Sequence, residues 1–365
     1  MNPLKAIDFL AARLLRRSGC SSWAAPLLWR RIKKDFFAKT GVPIRQKLWA
    51  YRLGFLSDKI TRYSLSNANA NLYLPELRYL AMHPINGKYG RWIDDKLTLR
   101  HTYGSYAEFL PKYYFHLDSG CVLRLPDCPG CINRPPTIDD VLALLHDEGC
   151  FAIKPLSASG GRGFYKLSAI DGVLAINNIP ATTGKVKEFL KQLHDHIVTE
   201  YLFSHPEIRN IYSGTPNTVR LIAIYDRDFG PQIVHGSIRF GVKASGLVDN
   251  VDAGGLFCLI DLNDGRLSQA RQLISGRMTH LDQHPDSGKT LIGFVLPNWG
   301  DIKITISEIG SRYPQLRWVG YDIVITEKGF KIIEINSLPD IEYIQEEFGP
   351  LLANEHARRF FEGRL

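Results

Sequence analysis

Several common signals are missing from this 365-residue chain, and each absence excludes something. No apolar run approaches the ~20 residues that a bilayer-crossing helix needs. The run AIDFLAARLL carries Arg13 and is followed at once by Arg16 and Arg17, so it lacks the form of a signal peptide. The expected location is cytoplasmic, with peripheral contact at the inner membrane surface left open. Six cysteines are scattered without the spacing of a small secreted scaffold, so reduced thiols are expected. Cys128 and Cys131 form a single CxxC with no second pair, which favours a surface loop over zinc. Internal repeats and low-complexity tracts are absent, and no glycine cluster sits between a strand and a helix as a P-loop or Rossmann fingerprint requires.

Acidic residues are scarce at one end. Residues 1–52 hold twelve Lys or Arg against Asp8 and Asp35, a net charge of +10, which leaves about −2 for the rest of a chain whose total is +8. Trp23, Leu27, Leu28, Trp29, Ile32, Phe36 and Phe37 interleave with these cations. Such a segment suits an anionic membrane surface or a polyanion, or forms a basic helical subdomain packed on the main body or on a protein partner. The near-neutral remainder and the lack of a nucleic-acid-binding motif argue against nucleic acid. Arg45 and Lys47 are candidates to meet an anionic acceptor, with a solvated face the simpler reading.

The chain as a whole is 45% hydrophobic and 22% charged, large enough for two cores or for one core with lobes, and beyond residue 52 it has the texture of an α+β protein. Residues 1–50 predict two helices broken at SGCSS. Residues 137–149 predict a helix with Asp139 and Asp140 in its first turn and Gly149 at its end. A strand over residues 151–154, a glycine-rich turn and a hairpin in GFYKLSAIDGVLAINN follow, then the helix VKEFLKQLHDH and the strand IVTEYL. NTVRLIAIYD, PQIVHGSIRFGV and LFCLIDLNDGRL alternate as antiparallel strands, residues 299–313 predict a helix, and one helical tail is expected over residues 342–358.

The chemistry concentrates in two places. In WVGYDIVITEKGFKIIEINSLPD, Glu334 and Asn336 stand two apart on one strand, and Asp322 lies across the turn on its partner. The period of two puts these oxygen donors on one face, where hard ligands without His or Cys suit Mg²⁺ shared with phosphates. A polar face meeting solvent is the bland alternative. In FAIKPLSASGGRGFYKL, Ser157, Ser159, Gly160, Gly161 and Gly163 expose backbone N–H groups without Cβ obstruction, flanked by Lys154, Arg162 and Lys166. Together they suggest a nucleotide held between a loop and a metal-bearing sheet.

This combination resembles the ATP-grasp superfamily, nearest to its sugar-transfer-associated branch, over roughly residues 92–340. The resemblance implies an ATP-grasp fold, with ATP held between the antiparallel sheets of two α+β lobes at residues 92–202 and 203–365, preceded by a mainly helical basic region at 1–91. It implies Lys96 and Lys154 as the phosphate-lobe lysines, residues 157–163 as the mobile phosphate loop, and Glu200 on the ribose with Tyr201 and Leu202 along the adenine. Asp322, Glu334 and Asn336 match its metal pattern, an Asp followed twelve residues later by Glu-x-Asn, implying two Mg²⁺ ions. Arg220 resembles the arginine beside the transferred phosphoryl group, and the run with Asn250, Gly254 and Gly255 resembles the acceptor side. Arg239 is a candidate carboxylate grip, with an ion pair as the equal alternative. His235 is a candidate base for the amine, with a structural histidine as the simpler reading.

The implied activity is an ATP- and Mg²⁺-dependent carboxylate–amine ligase working through an acyl phosphate. Its substrates are small molecules, an amino acid or amine and a sugar acid or cell-surface polysaccharide precursor. A small-molecule kinase of the same fold and a non-catalytic anion- or membrane-surface-binding protein are the alternatives.

Overall fold

The computed structural model describes residues 3–17, 20–130, 134–157, 163–274, 277–362 and 364. Alternating side chains build the first sheet from β1 (Tyr113–Asp118), β2 (Cys121–Arg124), β3 (Cys150–Pro155), β4 (Tyr165–Ile170), β5 (Val173–Ile176), β6 (Ile179–Pro180) and β7 (His196–Glu200). Its order is β2-β1-β7-β3-β4-β5-β6, antiparallel throughout. Phe151 and Ile153 of β3 join Val141, Leu145, Val186 and Leu190 of helices Ile138–Glu148 and Thr183–Gln192 in one core. Strand alternation therefore turns Lys154 to the opposite face. The first of these helices has Asp139 and Asp140 in its first turn and Gly149 at its end, as expected, and a reciprocal Thr137–Asp140 capping box starts it.

The second sheet comprises β8 (Thr218–Asp226), β9 (Gly230–Phe240), β10 (Leu256–Leu259), β11 (Ala270–Ile274), β12 (Arg277–Leu281), β13 (Trp318–Thr326) and β14 (Gly329–Asn336). Its order is β12-β11-β10-β9-β8-β13-β14, again antiparallel. Helix Trp299–Arg312 lays Trp299, Ile302, Ile306 and Ile309 against the Val219, Leu221, Tyr321 and Ile323 face. On the other face Ile222, Ile224 and Trp318 pack under Tyr79, Ile344, Phe360 and Phe361, leaving the polar end around Arg220 and Asp322. The expected α+β architecture with two sheet-bearing lobes and an amino-terminal helical extension is thus present.

That extension includes helices Pro3–Arg17, Ala24–Phe37, Ile44–Leu53 and Glu76–Met82, and it is built into the second sheet. The Asn86 side chain accepts from the backbone N–H groups of Arg317 and Trp318 and donates to the Trp318 carbonyl. The Trp318 indole donates to Tyr79 Oη at 2.8 Å, and Arg31 and Lys59 pair with Glu342 at 2.7 and 2.8 Å. Lys47, expected on a solvated face or at an acceptor, is buried instead. Its ammonium donates to the carbonyls of Asp35, Phe36 and Ala38, satisfying orphan acceptors at the end of helix Ala24–Phe37.

The tail differs from the single helix predicted. It is two helices, Glu342–Phe348 and Glu355–Phe361, because Gly349 adopts φ +94° and Pro350 has no N–H to continue the ladder. Strands β2, β11 and β12 carried too little alternation to be foreseen.

Trp318 is fully buried between Tyr79 and the Phe360–Phe361 pair. Trp318→Ala should cost about 3–5 kcal/mol, read as a lower urea midpoint with unchanged slope.

Candidate active site

Strand register builds a charged row across the second sheet. Glu334 of β14 stands opposite Asp322 of β13, Asp322 opposite Arg220 of β8, and Arg220 opposite Ser237 of β9. Asn336 stands opposite Gly320, so the three predicted oxygen donors do share one region of one face. Glycine is required at 320 by close approach, since a Cβ there would come within 2.8 Å of Pro339.

Arg220 grips Asp322 with two donors, Nε to Oδ1 at 2.6 Å and Nη2 to Oδ2 at 2.9 Å. Arg239 adds a contact to Asp322 Oδ1 at 3.4 Å, donates to Thr218 Oγ1 and faces Asp249 at 3.8 Å. Burial opposes the Asp322 charge, but Arg220 and Arg239 overcome it and hold its carboxyl below the usual range. Glu334 goes the other way: burial and then the adjacent Asp322 charge raise it. Across the cleft, burial and the neighbouring charge of Lys96 bring Lys154 down to about 8, while Glu334 and Asp322 pull it up. Lys96 donates to the Leu156 carbonyl at 3.1 Å. Lysines of the first lobe and carboxylates of the second thus act on each other's charges.

The remaining predicted residues separate into three groups. Ser157 is exposed past the end of β3, and Gly163 holds φ +73° where a Cβ would meet Pro155 at 2.8 Å. Ser159, Gly160, Gly161 and Arg162 lie outside the described residues. Glu200 ends β7 with a buried Oε1 that has no partner among the described residues, and Tyr201 and Leu202 follow it half-buried. The Lys166 ammonium lies 5.0 Å from the Tyr201 ring centre. On the acceptor side, Asn250 caps a turn over Val251–Ala253, Gly254 closes it at φ +96°, and a Cβ on Gly255 would strike the Asp249 carbonyl at 2.6 Å. His235 packs 5.1 Å from Phe348, and burial, then Arg220, lower its pKa to about 3, leaving it neutral.

Two residues had escaped notice. Asp249 is buried and accepts from the Thr218 N–H and hydroxyl at 2.7 and 2.5 Å, bracing Arg239. The spacing of Thr218 and Arg220, two apart on β8, was the available signal.

The donors suit the groups that the fold implies. Asp322, Glu334 and Asn336 offer only oxygen, as Mg²⁺ prefers, although Arg220 holds the Asp322 carboxylate here and no cluster of three or more His, Cys, Asp or Glu occurs among the described residues. The unpartnered Glu200 oxygen fits a nucleotide hydroxyl or amino donor.

Two antiparallel lobes with facing lysines and carboxylates define an ATP-grasp fold. The sequence matches the family described as sugar-transfer associated ATP-grasp over residues 91–357, and the chain belongs to that family. Among solved structures it is similar to D-alanyl-alanine synthetase A from Vibrio cholerae O1 biovar eltor, with 11% identity, a TM-score of 0.43, and coverage of 75% of this chain and 64% of that one. It is also similar to an ADP complex of purK, an N5-carboxyaminoimidazole ribonucleotide synthetase, with 9% identity, TM-score 0.41 and coverage of 73% and 52%. The L-amino acid ligase from Bacillus licheniformis is a third, with 8% identity, TM-score 0.34 and coverage of 79% and 47%. The chain thus spans between about half and two thirds of these structures. No curated protein matches it.

Because Glu334 binds its proton more tightly folded than unfolded, it contributes stability below the ordinary glutamate range and loses it as pH rises through the elevated value. With divalent cations chelated, Glu334→Gln should therefore melt above the wild type at pH 8, by about 2 °C for ~1 kcal/mol, with the gap closing toward pH 4. Differential scanning fluorimetry against pH checks this.

Proposed function

We propose that the protein is an ATP- and Mg²⁺-dependent carboxylate–amine ligase that activates its carboxylate as an acyl phosphate. The observation that carries this reading is the electrostatic facing of Lys96 and Lys154 with Asp322 and Glu334 across the two lobes. Lys96 and Lys154 bind the phosphates, residues 157–163 cover them, and Glu200, Tyr201 and Leu202 receive the nucleoside. Asp322, Glu334 and Asn336 hold Mg²⁺, two ions in the fullest form of this reading, which supplies charge neutralisation to the phosphate oxygens. Arg220 leans toward the transferred phosphoryl group, and Arg239, braced by Asp249, orients the acceptor carboxylate. His235, neutral, buried and packed on Phe348, holds too little proton affinity to take the amine proton, so in this reading it lines the site as a structural residue and no thiol nucleophile is needed. Asn250, Gly254 and Gly255 shape the wall on that side. The family's association with sugar transfer supports a sugar acid or glycan precursor as one substrate and an amino acid or amine as the other.

The test is ADP release from Mg·ATP with pooled amino acids, with and without uronic-acid glycans. Joint stimulation by a carboxylate and an amine, lost at least ~100-fold in Glu334→Gln, is expected. A phosphorylated single substrate would make the enzyme a kinase, and ATP binding unaltered by the substitution would overturn the metal assignment.

Lys154 supplies a second check. Its charge in the free protein is lost as pH rises through about 8, so calorimetric affinity for Mg·ATP should fall across that range. Lys154→Met should bind weakly and lose this pH dependence.

A further inference from the structure

Helix Ala24–Phe37 carries an exposed stripe that the ligase chemistry does not use. Trp23, Pro26, Arg30, Lys34 and Phe37 recur at spacings of three or four residues, which aligns them along one side of the helix, and all are exposed. Trp23 and Phe37 at its ends are 50% and 74% exposed, with the cations between them. Beside the stripe runs an open groove of about 900 Å³ lined by Trp23, Leu27, Trp29, Arg30, Lys33 and Phe37. Helix Pro3–Arg17 is tied alongside by Asp8, which accepts from Trp29 Nε1 at 2.7 Å and Lys33 Nζ at 2.8 Å. That helix itself exposes Phe9, Leu10 and Leu14, each more than half, together with Arg13 and Arg16.

This surface is held rigidly. Asp35 accepts from Tyr51 Oη at 2.6 Å and from the Ser57 N–H and hydroxyl, Lys47 caps the helix end, and Arg31 pairs with Glu342. Helix Ala24–Phe37 is therefore anchored to the segments that follow it and to Glu342.

We infer that the helix pair is a docking platform for an anionic phospholipid surface. Charge complementarity carries the choice of occupant, since Arg13, Arg16, Arg30 and Lys34 are exposed on the helix pair while its acidic residues Asp8 and Asp35 are engaged by Trp29, Lys33, Tyr51 and Ser57. Two copies meeting through this face would juxtapose like charges, which disfavours self-association. Aromatic rings flanking cations suit the headgroup boundary, where indole and phenyl groups enter the acyl edge and guanidinium and ammonium groups meet phosphates. No helix among the described residues is long and apolar enough to cross a membrane, so the pair lies on the surface.

The test is co-sedimentation of the full chain with phosphatidylcholine vesicles, with and without phosphatidylserine. Binding to the phosphatidylserine vesicles alone is expected. Arg30→Glu with Lys34→Glu should lower the partition coefficient more than about tenfold. Trp23→Ala with Phe37→Ala should also weaken it, and each double variant should keep the wild-type melting temperature. Failure to bind phosphatidylserine vesicles, equal binding to both vesicle types, or indifference to both double variants would overturn the inference. A concentration-dependent dimer abolished by these substitutions, without vesicle binding, would give the face to a second copy instead.

Discussion

The site depends on one bidentate contact, Arg220 holding Asp322 at 2.6 and 2.9 Å on a sheet face where water is largely excluded. A buried carboxylate without such a partner would take up a proton. Strand order turns the contact into a gradient. β9 and β8 bring Arg239 and Arg220, β13 brings Asp322 beside them, and β14 sets Glu334 one strand farther from the guanidinium groups. Asp322 is shifted toward the ionised form and its neighbour toward the neutral one, so adjacent carboxyls are pushed in opposite directions before any ligand arrives.

The opposite wall works by the reverse rule. Burial and the neighbouring charge of Lys96 both disfavour the Lys154 ammonium, and the carboxylates of the other lobe act against them. The charge on Lys154 is therefore set jointly by the two lobes, whereas Asp322 is balanced within its own sheet by Arg220 and Arg239.

Much of this was legible locally. A period of two put Glu334 and Asn336 together, a two-residue turn at Glu327 and Lys328 folded Asp322 back upon them, and the acidic first turn and Gly149 marked the ends of helix Ile138–Glu148. What was not legible depends on pairing over distance. Arg220 reaches Asp322 across 102 positions, and no local pattern announces that β8 lies beside β13. Lys47 reads as surface charge until the end of helix Ala24–Phe37 is seen to need a donor. The break in the tail was written as Gly349-Pro350, yet the apolar periodicity around it outweighed that signal. Asp249 was hidden because its role is to brace another side chain.

Asn86 joins the extension to the catalytic sheet in a way that composition could not suggest. Its amide holds both backbone groups of Trp318, at the head of the strand that carries Asp322 four residues on. The sequence signature of the family begins at residue 91, but the contacts that cover Trp318 begin before it, at Tyr79 and Asn86. A polypeptide cut at that point would expose an indole and its phenylalanine neighbours and leave the first turn of β13 unanchored. The family match and the packing around Trp318 have different edges here, and the covered face of the second sheet includes residues that precede the match.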